Sequence, residues 1–282
     1  MPITTRMVHA NGINVRVAEM GSGAPLLLLH GWPEFWFTWA KIMPLLADQF
    51  RLIAPDLRGF GGSDKIPAGV SREITTDLHA ADMNALLEVL DLRDVGVVAH
   101  DIGALIAQAL IRNHPGRVSK FFAFDCPYPG IGKRWIEGGQ IRYSWYMWFH
   151  QTKLAAELVG HSRETMAIYL RFVLQGGSQN KHAFDDNFEA FVDNMLVPGN
   201  LQGGFNWYIS TARPVPVAGP ITIPTRILWP QKDAVFPVAW MDRLGEFFTD
   251  LDASVNPGVG HFPHQEQPEA SAAAIRGFFT QR

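Results

Sequence analysis

The chain has 282 residues, of which 47% are hydrophobic and 18% charged, so it has enough apolar material for a sizeable core and too much for a disordered chain. Its formal net charge of −3 lacks the basic excess that nucleic-acid binding requires. The single cysteine, Cys126, excludes an intrachain disulfide and a cysteine-rich zinc site. No apolar run reaches the length of a signal peptide or a membrane span, so we expect a cytoplasmic protein without a membrane partner.

The first thirty residues predict a hairpin followed by a buried strand. The short runs MVHA and INVRVAE are joined by Asn11-Gly12, a pair that accepts positive φ and is a strong hairpin signal. The next run, PLLLLHG, is continuously apolar, which is typical of a parallel strand that is buried on both faces.

Strand-like and helix-like patterns then alternate up to about residue 129. The strand-like runs are RLIAPD, DVGVVAHD and KFFAFD, and the helical patterns are FTWAKIMPLLADQF, EITTDLHAADMNALLEVLDL and ALIAQALIRNHP. Each of the three strand-like runs ends at a polar residue. This alternation predicts an α/β fold with a mostly parallel sheet.

The alternation stops at Pro129 and resumes after about residue 211. The intervening segment is aromatic and helical, as in RYSWYMWFHQTKLAAELVG and RETMAIYLRFVLQGG, and a connector, RPVPVAGPITIP, follows it. The remaining predicted elements are the strand TRILWP, a helix around AWMDRLGEFFTDL, a short strand near ASVNPG and a final helix around PEASAAAIRGFFTQ. We therefore expect a core domain of residues 1–129 and 212–282, interrupted by a helical cap domain of residues 130–211.

Asp101 stands between a predicted strand and a predicted helix, in VVAHDIGALIA. Ala99 and Gly103 flank it in a small–x–acid–x–small pattern. Small flanks are needed where a nucleophile stands on a sharp strand-to-helix turn, because larger side chains would clash there. The N-terminus of the following helix stabilises an anion at this position. The alternative interpretation is an aspartate that only caps the helix.

Polar residues also follow other predicted strands, at the sheet edge where open α/β sheets bind ligands. His261 follows the last strand and is a candidate base. Asp233 and Asp125 follow two other strands, and either can orient His261 and stabilise its imidazolium. We favour Asp233 and keep Asp125 as the alternative. No third type of metal ligand clusters with His264, so we expect no metal.

The turn after the leucine-rich strand predicts a site for a developing anion. His30 and Gly31 form a tight turn that leaves the backbone N–H of Trp32 free. Together with the N–H of Ile102, it can form an oxyanion hole.

These features together resemble a known family over essentially the whole chain. The order Asp101, acid, His261, with HGWPEFWFTW and DLRGFGGSD before it, is similar to the α/β-hydrolase superfamily. Serine members carry G-x-S-x-G at the turn where this chain has aspartate, so it resembles the branch that contains epoxide hydrolases and dehalogenases. The resemblance implies an α/β-hydrolase fold, with a mostly parallel central sheet, flanking helices and an inserted helical cap.

Two tyrosines of the predicted cap point to epoxide hydrolases within that branch. The stretch WYMWFHQ is similar to the first cap tyrosine motif of that family and assigns Tyr146, and FNWY is similar to the second and assigns Tyr208. Opening an epoxide creates an alkoxide, and phenolic O–H groups polarise the ring oxygen and protonate it as its charge develops.

The alternative function is a haloacid or haloalkane dehalogenase that uses the same Asp101 nucleophile. Haloalkane dehalogenases carry tryptophan directly after the nucleophile, and fluoroacetate-type enzymes carry arginine there and further arginines for the carboxylate. Ile102 occupies that position here. Many epoxide hydrolases also have tryptophan there, so Ile102 departs from their pattern at the floor of the pocket. A non-catalytic binding protein of this fold is a further alternative, but such proteins usually lose a triad residue.

The resemblance implies attack by Asp101 on the epoxide, followed by hydrolysis of the resulting ester by water that His261 activates. The glycines of DLRGFGGSD do not match a dinucleotide fingerprint and no phosphate-loop lysine motif is present, so we expect no cofactor. The expected partners are a small hydrophobic epoxide and water, for a monomer or a homodimer. The expected walls of the substrate pocket are His30, Pro33, Phe35, Trp36, Trp145 and Trp207.

Overall fold

A computed structural model describes residues 2–66, 73–210 and 219–281. Its eight strands form one sheet of order β1-β2-β4-β3-β5-β6-β7-β8, in which the pairs β1–β2 and β2–β4 are antiparallel and all the others are parallel. This confirms the predicted α/β fold with a mostly parallel sheet. The strands are β1 (Thr4–Ala10), β2 (Ile13–Met20), β3 (Ala24–Leu29), β4 (Phe50–Pro55), β5 (Val95–His100), β6 (Val118–Phe124), β7 (Thr225–Pro230) and β8 (Leu251–Asn256).

The hairpin between β1 and β2 turns at Asn11 and Gly12, which have φ values of 48° and 74°. Further along, β3 and β5 lie at the centre of the sheet, where residues 26–29 of β3 and all the residues of β5 are buried. The α-helices are α1 (Met43–Leu46), α2 (Thr76–Val89), α3 (Ile102–Asn113), α4 (Ile141–Ser144), α5 (Tyr146–Phe149), α6 (Lys153–Val159), α7 (Arg163–Gly177), α8 (Phe188–Leu196), α9 (Asn200–Ser210), α10 (Pro263–Glu266) and α11 (Pro268–Thr280).

Three predicted helices differ from the observed ones. FTWAKIMPLLADQF forms a 3₁₀-helix at Trp36–Trp39 and then α1, because Pro44 lacks an N–H and is accepted only in the first turn of a helix. RYSWYMWFHQTKLAAELVG is divided into α4, α5 and α6, and Thr152 caps the N-terminus of α6 by accepting a hydrogen bond from the Ala155 N–H. AWMDRLGEFF lies in a 3₁₀-helix, Val238–Glu246.

The segment between β6 and β7 contains a 3₁₀-helix (Pro129–Trp135) and α4 to α9, and no strand among its described residues. Residues 213–218 of the predicted connector lie outside the described residues. In the part of the chain that the structure describes, no helix combines the length and apolar character needed to cross a bilayer.

The order of the central strands positions the candidate site. β3, β5, β6 and β7 are neighbours and run in parallel, so the residues that follow them meet at one edge of the sheet. Those residues include Trp32, Asp101, Asp125 and Asp233. His261, which follows β8, reaches the same edge from the neighbouring loop.

Candidate active site

Asp101 occupies a sharp turn between β5 and α3. Its backbone has φ 49° and ψ −123°, a conformation that side chains rarely adopt and that is associated with functional turns. Two glycines make the close packing possible. A Cβ on Gly103 would lie 2.4 Å from the Leu29 carbonyl oxygen, and one on Gly31 would lie 2.7 Å from the Asp101 Cβ. The small residues of the sequence pattern therefore allow the loops after β3 and β5 to touch.

The Asp101 carboxylate accepts a hydrogen bond from the backbone N–H of Trp32, with a distance of 3.1 Å from N to Oδ2. Ile102 is the first residue of α3, where backbone N–H groups have no partner within the helix. Loss of water contacts raises the pKa of Asp101, although His261, His100 and the Trp32 N–H oppose this shift. Backbone N–H groups beside the Asp101 carboxylate can therefore stabilise negative charge that develops on its oxygen.

His261 pairs with Asp233 rather than with Asp125. The His261 Nδ1 lies 2.8 Å from Asp233 Oδ2 and 3.7 Å from Asp125 Oδ2. Burial alone would lower the pKa of His261, but the neighbouring Asp233 and Asp125 raise it to about 9. The His261 charge and hydrogen bond likewise hold the pKa of Asp233 below its usual value, against the effect of burial.

Asp125 forms a carboxyl pair with Asp233. Burial, followed by the nearby Asp233 carboxylate, raises the pKa of Asp125 well above its usual value. The Asp125 Oδ1 has no hydrogen-bond partner within the described ranges. Because two neighbouring ionised carboxylates repel each other, and the pKa of Asp125 is raised while that of Asp233 is lowered, a proton favours Asp125 over Asp233. Asp233 is then left as the anion that faces His261.

A fully buried network that we did not predict lies beneath these residues. His100 Nδ1 is 2.8 Å from Glu34 Oε2, and His100 Nε2 is 3.1 Å from Asp125 Oδ2. His264 Nε2 is 2.8 Å from the other Glu34 oxygen, and Thr38 donates to that oxygen. Burial disfavours the charged forms, but Glu34 raises the pKa of His100, and the two histidines lower that of Glu34 well below its usual value.

The ligand atoms of Glu34, His100 and His264 lie within 4.8 Å of one another, as do those of His100, Asp125 and His261. Among the described residues, these two groups have the kinds of side chain that bind a metal ion. Their ligand atoms already bond to one another or to the triad, so the arrangement fits a hydrogen-bond network. The sequence held one signal for this network. Glu34 and His100 lie near the ends of two predicted strands, where the sequence analysis had selected Trp32 and Asp101 instead.

Aromatic rings from the helical segment pack over the turn that carries the Trp32 N–H. The Trp32 ring stacks on Tyr146 of α5 at 5.7 Å and meets Tyr208 of α9 edge-on at 5.7 Å. The two phenol rings meet edge-on, with centroids 5.8 Å apart. Burial, and then the charge of Asp101 among the neighbouring groups, raises the pKa of both phenols well above 10, so they remain protonated donors.

His150 is a further residue of this aromatic group that the sequence analysis missed. Its ring lies 4.5 Å from Trp32 and stacks on Phe205 at 4.2 Å, measured between centroids. Its Nε2 is 2.5 Å from the Tyr169 hydroxyl, and burial lowers its pKa to about 3. His150 is therefore a neutral ring at neutral pH. It lies one helical turn after Tyr146, a spacing that was visible in the sequence.

The predicted pocket residues divide into two groups. His30, Pro33 and Phe35 are buried in the loop after β3, and Phe35 packs edge-on against Phe191 of α8. His30 accepts from the Leu57 N–H through Nε2, so its other nitrogen donates to the Gly31 carbonyl and its role is to hold the turn.

The three predicted tryptophans have different surroundings. Trp36 contacts Phe35 and Phe37 and has the Arg16 guanidinium 5.8 Å from its ring centroid. Trp207 packs on His79 of α2. Trp145 contacts Phe149 and Phe172 and is 38% exposed, so the structure does not bring it among the rings near Asp101. The side chain of Trp145 faces outward because its neighbour on the helix, Tyr146, takes the inward face.

Comparison with known proteins identifies the family. The profile of the alpha/beta hydrolase fold matches residues 24–268. A soluble epoxide hydrolase from Corynebacterium sp. strain C12 is 30% identical over 98% of this chain and 97% of its own length. This chain belongs to the epoxide hydrolase family of the α/β hydrolases.

Solved structures agree with that membership. A putative alpha/beta hydrolase from Nostoc sp. superimposes with a TM-score of 0.91 at 26% identity, covering 99% of each chain. The epoxide hydrolase CorEH superimposes with a TM-score of 0.82 at 25% identity, also over 99% of each chain. The chain is thus a hydrolase whose fold is shared along its full matched length.

Proposed function

We propose that this hydrolase opens an apolar epoxide to a vicinal diol through a covalent ester on Asp101. The observation that carries the proposal is the grouping of a carboxylate on a strained turn, a histidine–aspartate pair, and two buried phenols around Trp32. Relatives named as epoxide hydrolases support it over nearly the whole chain.

In the first step, the Asp101 carboxylate attacks the less hindered carbon of the epoxide, and the carbon–oxygen bond of the ring breaks. A carboxylate needs no prior deprotonation at neutral pH, which suits displacement at saturated carbon. Tyr146 and Tyr208 polarise the ring oxygen, and one of them protonates it as the alkoxide forms. The high pKa of both phenols supports their role as donors.

In the second step, neutral His261 removes a proton from water, and the resulting hydroxide attacks the carbonyl carbon of the Asp101 ester. The N–H of Trp32 already donates to Asp101 Oδ2 in the free enzyme, so it is in position to stabilise the oxyanion together with the N–H of Ile102. Collapse of the tetrahedral intermediate releases the diol and restores the carboxylate. The proton on His261 returns to the phenol that gave one up, through solvent.

The aromatic surroundings favour an uncharged, hydrophobic epoxide over a haloacid. Ile102 provides neither the indole N–H nor the guanidinium that resemblance assigns to dehalogenases at that position. A dehalogenase remains the competing outcome of the test below.

The direct test is an assay for diol formation over a small panel of epoxides, including styrene oxide, run beside halide release from haloacetate and a haloalkane. We expect diol and no halide. Asp101→Asn is the matched control, since it keeps the size of the side chain and removes the nucleophile. Halide release without diol would replace the proposed function with dehalogenation.

Substitution of Asp233 and substitution of Asp125 should lower the rate of ester hydrolysis by very different factors. Asp233→Asn should lower the rate of ester hydrolysis by ~10²–10⁴-fold, because the amide no longer orients and charges His261. Asp125→Asn should stay within about threefold of the parent, because a neutral amide has the size of the carboxyl group that it replaces and the raised pKa of Asp125 favours its neutral form.

The pH dependence of ester hydrolysis checks the same assignment. His261 acts as a base only when unprotonated, so the parent rate should rise with pH. The pKa of His261 is about 9 in the free enzyme, and the ester removes the Asp101 charge that acts on it, so the rate should level off below that value. Asp233→Asn removes the first of the charges that raise this pKa and the hydrogen bond to Nδ1, so the rate should level off at a lower pH, whereas Asp125→Asn should shift the profile less. The measurement is single-turnover hydrolysis across pH 5–10, and a reversed order of the two variants would assign Asp125 as the triad acid.

A further inference from the structure

One carboxylate, Glu266, joins the loop of His261 to the end of helix α7. Its Oε2 accepts backbone hydrogen bonds from Gln179 N at 2.8 Å, Asn180 N at 2.9 Å and Gly260 N at 3.2 Å. Its Oε1 accepts one from Phe262 N at 3.3 Å. Two of these donors follow α7 in the inserted segment, and the other two flank His261.

The backbones on either side of this carboxylate are in direct contact. The His261 N–H donates to the carbonyl oxygen of Gly177, the last residue of α7, at 3.0 Å. A Cβ on Gly260 would lie 2.5 Å from that same oxygen and 2.6 Å from Gln179 N. The close approach therefore depends on glycine at 260, and the Glu266 carboxylate accepts hydrogen bonds from N–H groups on both sides of the contact.

The position of the His261 ring depends on this short loop. The ring lies parallel to Phe236, with centroids 5.6 Å apart, and its Nδ1 must stay within hydrogen-bond distance of Asp233. Gly260 and Phe262, the residues on both sides of His261, are those that Glu266 holds. A displacement of about 1 Å in a catalytic group can cost ~10²-fold in rate.

We propose that Glu266 is a positioning residue that holds His261 for hydrolysis of the ester by fixing its loop to the end of α7. The proposal rests on the two-step function above. It predicts that loss of the Glu266 carboxylate slows ester hydrolysis and leaves the formation of the ester almost unchanged, because Asp101 and the two phenols lie on other elements.

The test compares Glu266→Gln and Glu266→Ala with the parent in single-turnover experiments with styrene oxide. Rapid quenching and intact-protein mass spectrometry follow the rise and decay of the ester. We expect ester formation within about threefold of the parent, and decay slowed by ~10-fold or more in Glu266→Ala, with Glu266→Gln in between because one acceptor oxygen remains. The ester should therefore accumulate in the steady state.

The pH profile provides a second readout that loss of stability alone would not change. The charged or titratable groups that act on His261 are Asp233, Asp125, His100, Asp101 and His264. A loop released from Glu266 weakens the pairing with Asp233, so the apparent pKa of ester decay should fall from its parent value in Glu266→Ala.

Ser162→Ala is the matched control. Ser162 caps the opposite end of α7 by accepting from the Thr165 N–H, so its loss weakens the same helix without touching the His261 loop. We expect a lower melting temperature with unchanged ratios of the two rates and an unchanged pH profile. Equal slowing of both steps in Glu266→Ala, or a parent-like decay rate, would overturn the positioning role. A parent enzyme that forms no ester would instead overturn the proposed function.

Discussion

Replacing His261 with glutamine should stop the reaction at the ester and lower turnover by ~10³-fold or more, since general-base catalysis contributes ~10²–10⁴-fold and the step has no substitute base. The first step does not use His261, so Asp101 should still react with the epoxide. Addition of the whole epoxide raises the protein mass by the mass of the substrate. Intact-protein mass spectrometry, followed by peptide mapping, should place this increase on Asp101.

The control for this experiment is Asp101→Asn, which should show no mass increase with the same epoxide. The substitution should also leave intact the contact between His261 and the buried network beneath it. The His261 backbone carbonyl accepts from His100 Nε2 at 2.8 Å, and His261→Gln keeps that contact because it involves only the main chain. If His261→Gln turns over normally, or if mass is added at a residue other than Asp101, the two-step mechanism is wrong.

The double substitution Tyr146→Phe and Tyr208→Phe should abolish ring opening, with ester formation lowered by ~10³–10⁴-fold. Phenylalanine keeps the stacking of these rings on Trp32 but removes both donors to the ring oxygen. Each single substitution should lower the rate by ~10–10²-fold, since the remaining phenol still donates. Single-turnover ester formation measures the effect directly.

Tyr143→Phe is a suitable control, because this tyrosine lies in the same segment and is 46% exposed. It should change neither ester formation nor the melting temperature. The melting temperature of the double variant should also stay near that of the parent, because the apolar contacts of both rings are retained. Ester formation at the parent rate in the double variant would remove the phenols from the mechanism.

Local sequence patterns predicted the elements that depend on neighbouring residues. The hairpin at Asn11-Gly12 followed from the φ preferences of two adjacent residues. The turn at Asp101 followed from the need for small residues where two loops touch, and Gly103 meets the Leu29 carbonyl as that argument requires. The parallel sheet followed from continuous apolar runs that end at polar residues. Each of these signals lies within a few positions of the residue that it explains.

Helix boundaries in the inserted segment were predicted less well. The pattern of WYMWFHQ and the residues around it indicated helical structure without its boundaries, and the structure has three short helices there. Tyr146 stacks on Trp32 whereas Trp145 is 38% exposed, so two adjacent aromatic residues that look equivalent in the sequence have different surroundings.

The partners across the site required the tertiary structure. The sequence favoured Asp233 and kept Asp125 as the alternative, and the distances of 2.8 Å and 3.7 Å to the His261 Nδ1 distinguish them in the structure. Glu34, His100 and His264 form one network although Glu34 and His264 are 230 positions apart. Glu266 binds backbone N–H groups, which every residue type except proline has, so no pattern of side chains reveals its partners. The chain encodes its turns and strands locally, whereas pairing between distant loops depends on strand order and packing.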